Sequence, residues 1–167
     1  MKTITTPFAL VLILFSALLQ INLAFAQDDR EAILKQIEEA RSVGQADWKE
    51  IVALNLTLSE TEASGFWPLY DDYRAAMVTL NDRLVKLITE YADSYVSNGL
   101  TEDKAKALIK EYLSIKEKEV NIRKKFLKKF YKVLPAQKVM VFYQIENKLT
   151  SLINAALALE IPLAKMM

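Results

Sequence analysis

Apolar residues recur at alternating steps of four and three between Leu58 and Leu134, which is the pattern of a helix with one buried face. The pattern is unbroken in the first half of this stretch and predicts a long helix from Ser59 to about Ser97. Its apolar face consists of Phe66, Tyr70, Tyr73, Met77, Leu80, Leu84, Leu87 and Tyr91.

A second long helix is predicted from Thr101 to about Lys132, after the helix-stop signal Asn98-Gly99. This helix carries two apolar rows rather than one. The first row contains Ala105, Leu108, Tyr112, Ile115, Ile122 and Phe126, and the second contains Ile109, Leu113, Val120, Leu127, Phe130 and Leu134. One row can face the first helix, so the other must face a further helix or another subunit.

Helical patterns also flank this pair. Residues 28–41 predict a helix, and a short amphipathic segment with Trp48 and Val52 follows it. A last helix should begin near Pro135 and stop before Pro162. Its apolar face consists of Phe142, Ile145, Leu149, Leu152, Ala156 and Leu159. No segment alternates as a β-strand does, so we expect an all-α fold, a four-helix hairpin-type architecture with two long antiparallel helices.

Local signals mark where the long helices start. Ser59 and Glu62 form a capping box, in which each side chain accepts a hydrogen bond from the other residue's backbone N–H, and Leu58 precedes it. Thr101 is the predicted cap of the second long helix. Pro68 lacks the N–H that would bond to a carbonyl one turn earlier, so a kink is expected between Gly65 and Pro68.

The N-terminal residues 1–26 have the features of a signal peptide. Lys2 provides a positive charge, an apolar run follows from Phe8 to Leu19, and Ala24-Phe25-Ala26 has the small-x-small form of a cleavage site. A membrane anchor is the alternative, but the apolar run is short for a bilayer span. We therefore expect export with cleavage after Ala26, a periplasmic location, and a single domain over residues 27–167 without a membrane span.

The residue types exclude several kinds of chemistry. The chain has no His and no Cys, so it can build neither a His-assisted nucleophile nor a His or Cys metal site, and disulfides are impossible. No glycine-rich phosphate loop is present. We therefore expect no enzymatic activity, no catalytic residues, no cofactor and no metal, and the export signal argues against nucleic acid as a partner.

Charge is separated along the chain. Residues 28–103 contain 16 acidic and 7 basic side chains, whereas residues 104–167 contain 14 basic and 5 acidic ones. The two halves can simply face each other, or the basic half can provide a binding surface. The densest basic segment interleaves cations with aromatic rings. Its candidate binding residues are Arg123, Lys124, Lys125, Lys128, Lys129, Tyr131 and Lys132, while Phe126 is expected to be mostly buried.

Two helix starts about 75 residues apart enclose the predicted hairpin in this Cys-free chain. Leu58-Ser59-x-x-Glu62 opens the first, and Val133-Leu134-Pro135-Ala136-Gln137 opens the second. Together they resemble the paired Leu-Thr-x-x-Gln motifs of the Spy/CpxP-like family of periplasmic helical proteins. Ser59 and Glu62 stand where that motif has Thr and Gln, and Leu134 stands where the second motif has Thr.

The resemblance implies a four-helix protein that dimerises into a thin, curved cradle. It also implies an ATP-independent chaperone that binds unfolded or partly folded envelope proteins during envelope stress. The basic segment suits this function because charge attracts a client over a distance while apolar stems hold it weakly. The alternative is a signalling adaptor or inhibitor that docks on the periplasmic domain of an envelope-stress sensor kinase. The unpaired apolar row on the second long helix favours a homodimer in either case.

Overall fold

The computed structural model describes residues 48–97 and 99–164. Four helices make up this part of the chain: α1 (residues 48–55), α2 (Glu60–Val96), α3 (Glu102–Phe130) and α4 (Ala136–Glu160). No β-strand occurs within these two ranges, so the predicted all-α class is confirmed there. The predicted signal peptide and the predicted helix over residues 28–41 lie outside the described residues.

The capping box at the start of α2 is formed as predicted. The Ser59 backbone N–H donates to Glu62 Oε2 at 2.8 Å, and the Glu62 N–H donates to Ser59 Oγ at 3.3 Å. α2 then runs for 37 residues and continues as one helix through Pro68, whose ring lies on the exposed side. At 1.5 Å per residue, α2 is about 55 Å long.

The two long helices are antiparallel and pack along their length. Arg83 Nη2 lies 2.9 Å from Glu111 Oε1, and Lys104 Nζ lies 2.7 Å from Glu90 Oε2. α4 runs parallel to α2, as two hydrogen bonds show. Lys138 near the start of α4 bonds to Glu62 near the start of α2, and the Tyr91 hydroxyl near the end of α2 donates to the Pro162 carbonyl just beyond the end of α4. The predicted hairpin of two long helices is therefore present.

The hydrophobic core lies at one end of the hairpin, which we call the base. There α1, residues 60–77 of α2, the last turns of α3 and the first half of α4 contribute side chains to one cluster. The core consists of Val52, Leu56, Phe66, Tyr70, Tyr73, Met77, Phe126, Phe130, Leu134, Val139 and Phe142. Its rings are in direct contact, since the centroid of Phe130 is 4.9 Å from that of Phe142 and 5.5 Å from that of Phe66.

Gly65 lets the turn between α3 and α4 approach α2. A Cβ at this position would lie 3.1 Å from the Cγ1 of Val133, tighter than ordinary van der Waals contact. Glycine in the middle of a helix lowers its stability. Here the missing side chain is what allows the turn to close against the base.

The opposite end of the hairpin, which we call the tip, comprises residues 84–97 and 99–113. Its apolar side chains are less covered: Leu84, Leu87 and Tyr91 are half-buried, although the pattern that predicts them is the same as at the base. Only Ile88 and Ser94 are buried in the tip part of α2. No helix in residues 48–97 and 99–164 is long and apolar enough to cross a membrane.

Candidate binding surface

The basic segment at the end of α3 lies largely on the surface. Lys124, Lys125, Lys128 and Lys132 are exposed, as is Tyr131, whose side chain keeps 54% of its accessible area. Exposed ammonium groups one to two helical turns apart raise the local positive potential. This part of α3 therefore presents a positive surface at the base.

Phe126 is the core residue that lies directly beneath this positive surface. Its ring is only 5% exposed, and the ammonium groups of Lys129 and Lys125 lie 4.8 and 5.9 Å from its centroid. Lysine stems cover apolar surface while their charge stays in water, and the ring face attracts the cation. The expected burial of Phe126 is confirmed, and Lys129 is half-buried above it.

Arg123 differs from its neighbours because it ties α3 to α4. Its guanidinium donates to Glu119 Oε1 through Nε at 3.2 Å and Nη2 at 3.0 Å, and Nη2 also donates to Thr150 Oγ1 at 3.3 Å. The Arg123 carbonyl accepts from the Tyr143 hydroxyl at 2.8 Å. Burial raises the pKa of Tyr143 to about 12, so the hydroxyl stays a donor. Although Arg123 lies in the basic segment, these bonds fix its side chain between α3 and α4, whereas the neighbouring lysines are exposed.

The second apolar row of α3 is divided between core and surface. Phe130 and Leu134 are buried at the base, whereas Ile109, Leu113 and Val120 are 61%, 59% and 48% exposed. Those three residues lie four and seven positions apart, on one side of the helix. We call them the α3 stripe. Sequence reasoning predicts this row but not which half remains uncovered.

A shallow, open groove lies on α4, and its residue Tyr143 contacts Arg123 of the basic segment. It is lined by Met140, Tyr143, Gln144, Asn147 and Lys148. Met140 is 62% exposed, so the groove combines an accessible thioether with polar side chains. A flexible thioether adapts to different apolar partners, which suits weak and unselective contacts.

An ion pair inside the base is a feature that sequence reasoning missed. Glu146 of α4 is fully buried, and its Oε2 lies 3.7 Å from Nη1 of Arg74 on α2, beyond hydrogen-bonding distance. Burial raises the pKa of Glu146 despite the opposing charge of Arg74, and burial lowers the pKa of Arg74. The sequence contained a signal for the burial of Glu146, because this residue lies four positions after Phe142 and three before Leu149, on the apolar face of α4.

The two resembling motifs play different structural roles. At the first, Glu62 also accepts from Lys138 Nζ at 2.6 Å, and this bond is the main reason that its pKa is lowered; Leu58 packs against the core. At the second, α4 has Pro135 as its N-cap and no side-chain cap bond. The helix therefore starts where the sequence predicts it, next to Pro135. Leu134 lies in the core with 5% exposure, and Gln137 is exposed.

Metal-binding groups do not converge in the described part of the chain. Nowhere in residues 48–97 and 99–164 do three or more His, Cys, Asp or Glu side chains gather as a cation site would require. The charged side chains that do approach one another form ion pairs with Lys or Arg. The surface features of α3 and the buried Arg74–Glu146 pair are therefore the candidate functional features.

The chain was compared with protein-family models, curated proteins and solved structures, and none of them matches it. The resemblance to the Spy/CpxP-like family consequently rests on the two motifs and the predicted hairpin, and it stays a prediction.

Proposed function

We propose that this protein is a periplasmic, ATP-independent chaperone-like protein that binds unfolded or partly folded envelope proteins. The observation that carries the proposal is the basic segment at the end of α3, where Lys124, Lys125, Lys128, Lys132 and Tyr131 are all exposed. Unfolded chains expose apolar groups and backbone together with charge. A surface that offers long-range attraction and small apolar contacts therefore binds many of them weakly.

The contacts around Phe126 support a surface of charged side chains that lies on a packed core. The ring is packed against Tyr73 and Phe130, with centroids 5.5 and 6.3 Å away. Above the ring, Lys125 is exposed and Lys129 is half-buried. Weak contacts with exposed cations favour rapid release, which a chaperone without ATP needs.

Replacing three lysines of the basic segment tests the proposal directly. In the variant Lys125→Gln, Lys128→Gln and Lys129→Gln, we expect capture of reduced, carboxymethylated α-lactalbumin to slow by roughly tenfold, because steering by charge is lost. Capture by the unchanged protein should also slow with added salt, since the Debye length falls from about 8 Å at physiological ionic strength to about 3 Å at 1 M. Stopped-flow fluorescence of a labelled client measures both.

A matched control uses three lysines of the same helix away from the segment. Lys106, Lys110 and Lys118 are all exposed, so changing them to Gln removes the same charge and leaves the base untouched. The melting temperatures of both triple variants should stay within a few degrees of the parent, since exposed pairs contribute about 0–1 kcal/mol each. Equal capture rates in the two variants would refute a client site at residues 124–132.

The partner spectrum separates the chaperone from the signalling adaptor. Affinity capture from an envelope extract should return many substoichiometric proteins if the chain is a chaperone. A single stoichiometric partner with a sensor-kinase periplasmic domain would instead favour the adaptor.

We further propose that the α3 stripe forms part of a homodimer interface, in a curved cradle-like dimer. Its apolar side chains lie on one face, and two-fold symmetry pairs such a face with itself. Light scattering at micromolar concentration should give twice the monomer mass. Leu113→Glu should halve that mass, whereas Leu54→Glu, at a leucine that is similarly exposed (64%), should leave it unchanged. A monomer mass for the unchanged protein would rule out the dimer.

A further inference from the structure

α1 contacts Arg74, the α2 partner of the Arg74–Glu146 pair, and is attached by few polar contacts. The Trp48 ring stacks on Arg74, whose guanidinium carbon lies 3.5 Å from the ring centroid. Next to it, Lys49 Nζ contacts Asp71 at 2.7 Å, in a pair whose side chains are 51% and 58% exposed. An ion pair so exposed adds little stability. Residues 48–56 are therefore held mainly by the burial of Trp48, Val52 and Leu56.

Several polar side-chain atoms near α1 are buried without the hydrogen bonds that would offset their loss of hydration. Among the described residues, the Tyr70 hydroxyl and Nη1 of Arg74 are buried without a hydrogen-bond partner. The Tyr73 hydroxyl and the Glu146 carboxylate are buried close enough to interact with each other but do not reach hydrogen-bonding geometry. Buried polar atoms without partners lower stability, because water would bond to them in any open state. Closing α1 over Arg74 therefore gains apolar burial and loses hydration.

The rest of the base does not depend on α1 for its backbone bonds. Residues 56–59 between α1 and α2 are not helical, and α2 starts with its own capping box at Ser59. The Glu62–Lys138 bond and the ring contacts of Phe66 with Phe130 and Phe142 join α2 to the other helices. α1 can therefore detach while α2, α3 and α4 stay packed.

We propose that residues 48–56 form a reversible cover over Arg74 and Glu146, and that a client segment binds to the surface that opening exposes. The second half of this proposal rests on the proposed function. Trp48, Val52 and Leu56, spaced four residues apart, show what fits: an amphipathic helical segment with an aromatic ring for Arg74 and apolar residues one and two turns later. α1 then acts as an internal competitor for the client.

Hydrogen exchange of two matched amides tests the opening itself. The Leu56 N–H donates to Val52 and the Leu134 N–H donates to Phe130, both at 2.9 Å and four residues apart. The two leucines are 4% and 5% exposed, so static burial does not distinguish them. If the cover opens on its own, the Leu56 amide should exchange at least about tenfold faster than the Leu134 amide, because local opening is more frequent than global unfolding. Equal exchange rates would overturn the proposal.

Two tyrosine variants test the reason for opening. Tyr70→Phe removes a buried hydroxyl that has no partner in the described structure, so the cover should open less often and Leu56 exchange should slow by roughly threefold. Tyr143→Phe removes a hydroxyl that is bonded to the Arg123 carbonyl and should not slow it. Faster Leu56 exchange in Tyr70→Phe would contradict the role of the partnerless groups.

A cross-link tests whether a client binds only when residues 48–56 have detached. Because the chain has no Cys, Lys49→Cys with Asp71→Cys can be joined selectively by a bismaleimide, and the same variant capped with N-ethylmaleimide serves as control. The cross-linked form should capture carboxymethylated α-lactalbumin at least about tenfold more slowly than the capped form. Equal capture would overturn the client half of the proposal. Failure of both forms to bind would refute the proposed function, while the exchange comparison would still decide whether the cover opens.

Discussion

The base and the tip of the hairpin are built from the same apolar pattern but reach different degrees of burial. At the base, Phe66, Phe130 and Phe142 are completely buried in one cluster of rings. At the tip, Leu84 and Leu87 are half-buried, and the helices are joined by ion pairs such as Lys104–Glu90, whose side chains are 36% and 40% exposed. The pattern therefore identifies which face of a helix is apolar, whereas the number of neighbouring helices decides how much of it is covered.

The largest expected difference between the two regions comes from removing the same atoms in each. Leu134→Ala at the base should lower the free energy of unfolding by about 2–5 kcal/mol, as buried leucine truncations do. Leu87→Ala at the tip should lower it by about 1 kcal/mol, since a half-buried side chain loses less transfer energy and leaves no closed cavity. Urea unfolding monitored by circular dichroism measures both. Equal losses would show that the tip is as tightly packed as the base.

The buried ion pair is expected to weaken the base rather than strengthen it. Replacing both partners, Arg74→Met with Glu146→Leu, should raise the free energy of unfolding by about 1–4 kcal/mol, because apolar residues of similar volume carry no desolvation penalty. Glu146→Leu alone should be less stable than the double variant, since Arg74 then stays buried without its partner. A double-mutant cycle from urea unfolding gives the coupling, and a destabilised double variant would contradict this account.

The pH dependence of stability provides a check on the same pair. The pKa of Glu146 is raised in the folded protein by burial, so the folded state binds its proton more tightly than the unfolded chain does. Stability should therefore fall as pH rises from about 4.3, the unfolded value, through the raised folded pKa, and change no further above it. Glu146→Gln should remove this slope.

The lowered pKa values of Glu62 and Glu90 act in the opposite sense, with stability lost as pH falls below the ordinary glutamate range.

The smallest expected difference lies between the helix caps. Ser59 at the base belongs to a complete capping box, whereas Thr101 at the tip accepts a single bond from the Lys104 N–H at 3.3 Å. Ser59→Ala should lower the free energy of unfolding by about 1–2 kcal/mol and Thr101→Ala by about 0.5–1 kcal/mol. Thermal unfolding of both variants and of the conservative Ser59→Thr measures the contrast. A larger loss at Thr101 would reverse the ranking of the two ends.

Local features of this fold were predictable from sequence because their causes lie within a few residues. The Ser59–Glu62 box depends on backbone groups three residues apart, and the burial of Phe126 follows from its position in the first apolar row of α3. The class of fold and the two long helices follow in the same way from periodicity.

Features that depend on several helices at once could not be predicted in this way. Glu146 is read from sequence as one acidic residue among many, and its burial depends on Arg74, 72 positions earlier in the chain. The exposure of Ile109 and Leu113 depends on which side of α3 the other helices leave uncovered, and the role of Gly65 depends on the approach of Val133. Arg123 is similarly indistinguishable from neighbouring cations until Glu119 and Thr150 are seen around it.

The register of the hairpin also has a consequence for how the chain folds. Contacts at the tip join residues close in sequence, since Glu90 and Lys104 are 14 positions apart, whereas Glu62 and Lys138 at the base are 76 apart. Closing a short loop loses less chain entropy than closing a long one, so the tip contacts form first. We expect Leu87→Ala to act mainly on the folding rate and Leu134→Ala mainly on the unfolding rate. The end of the hairpin that contributes least to equilibrium stability is then the one that starts the folding reaction.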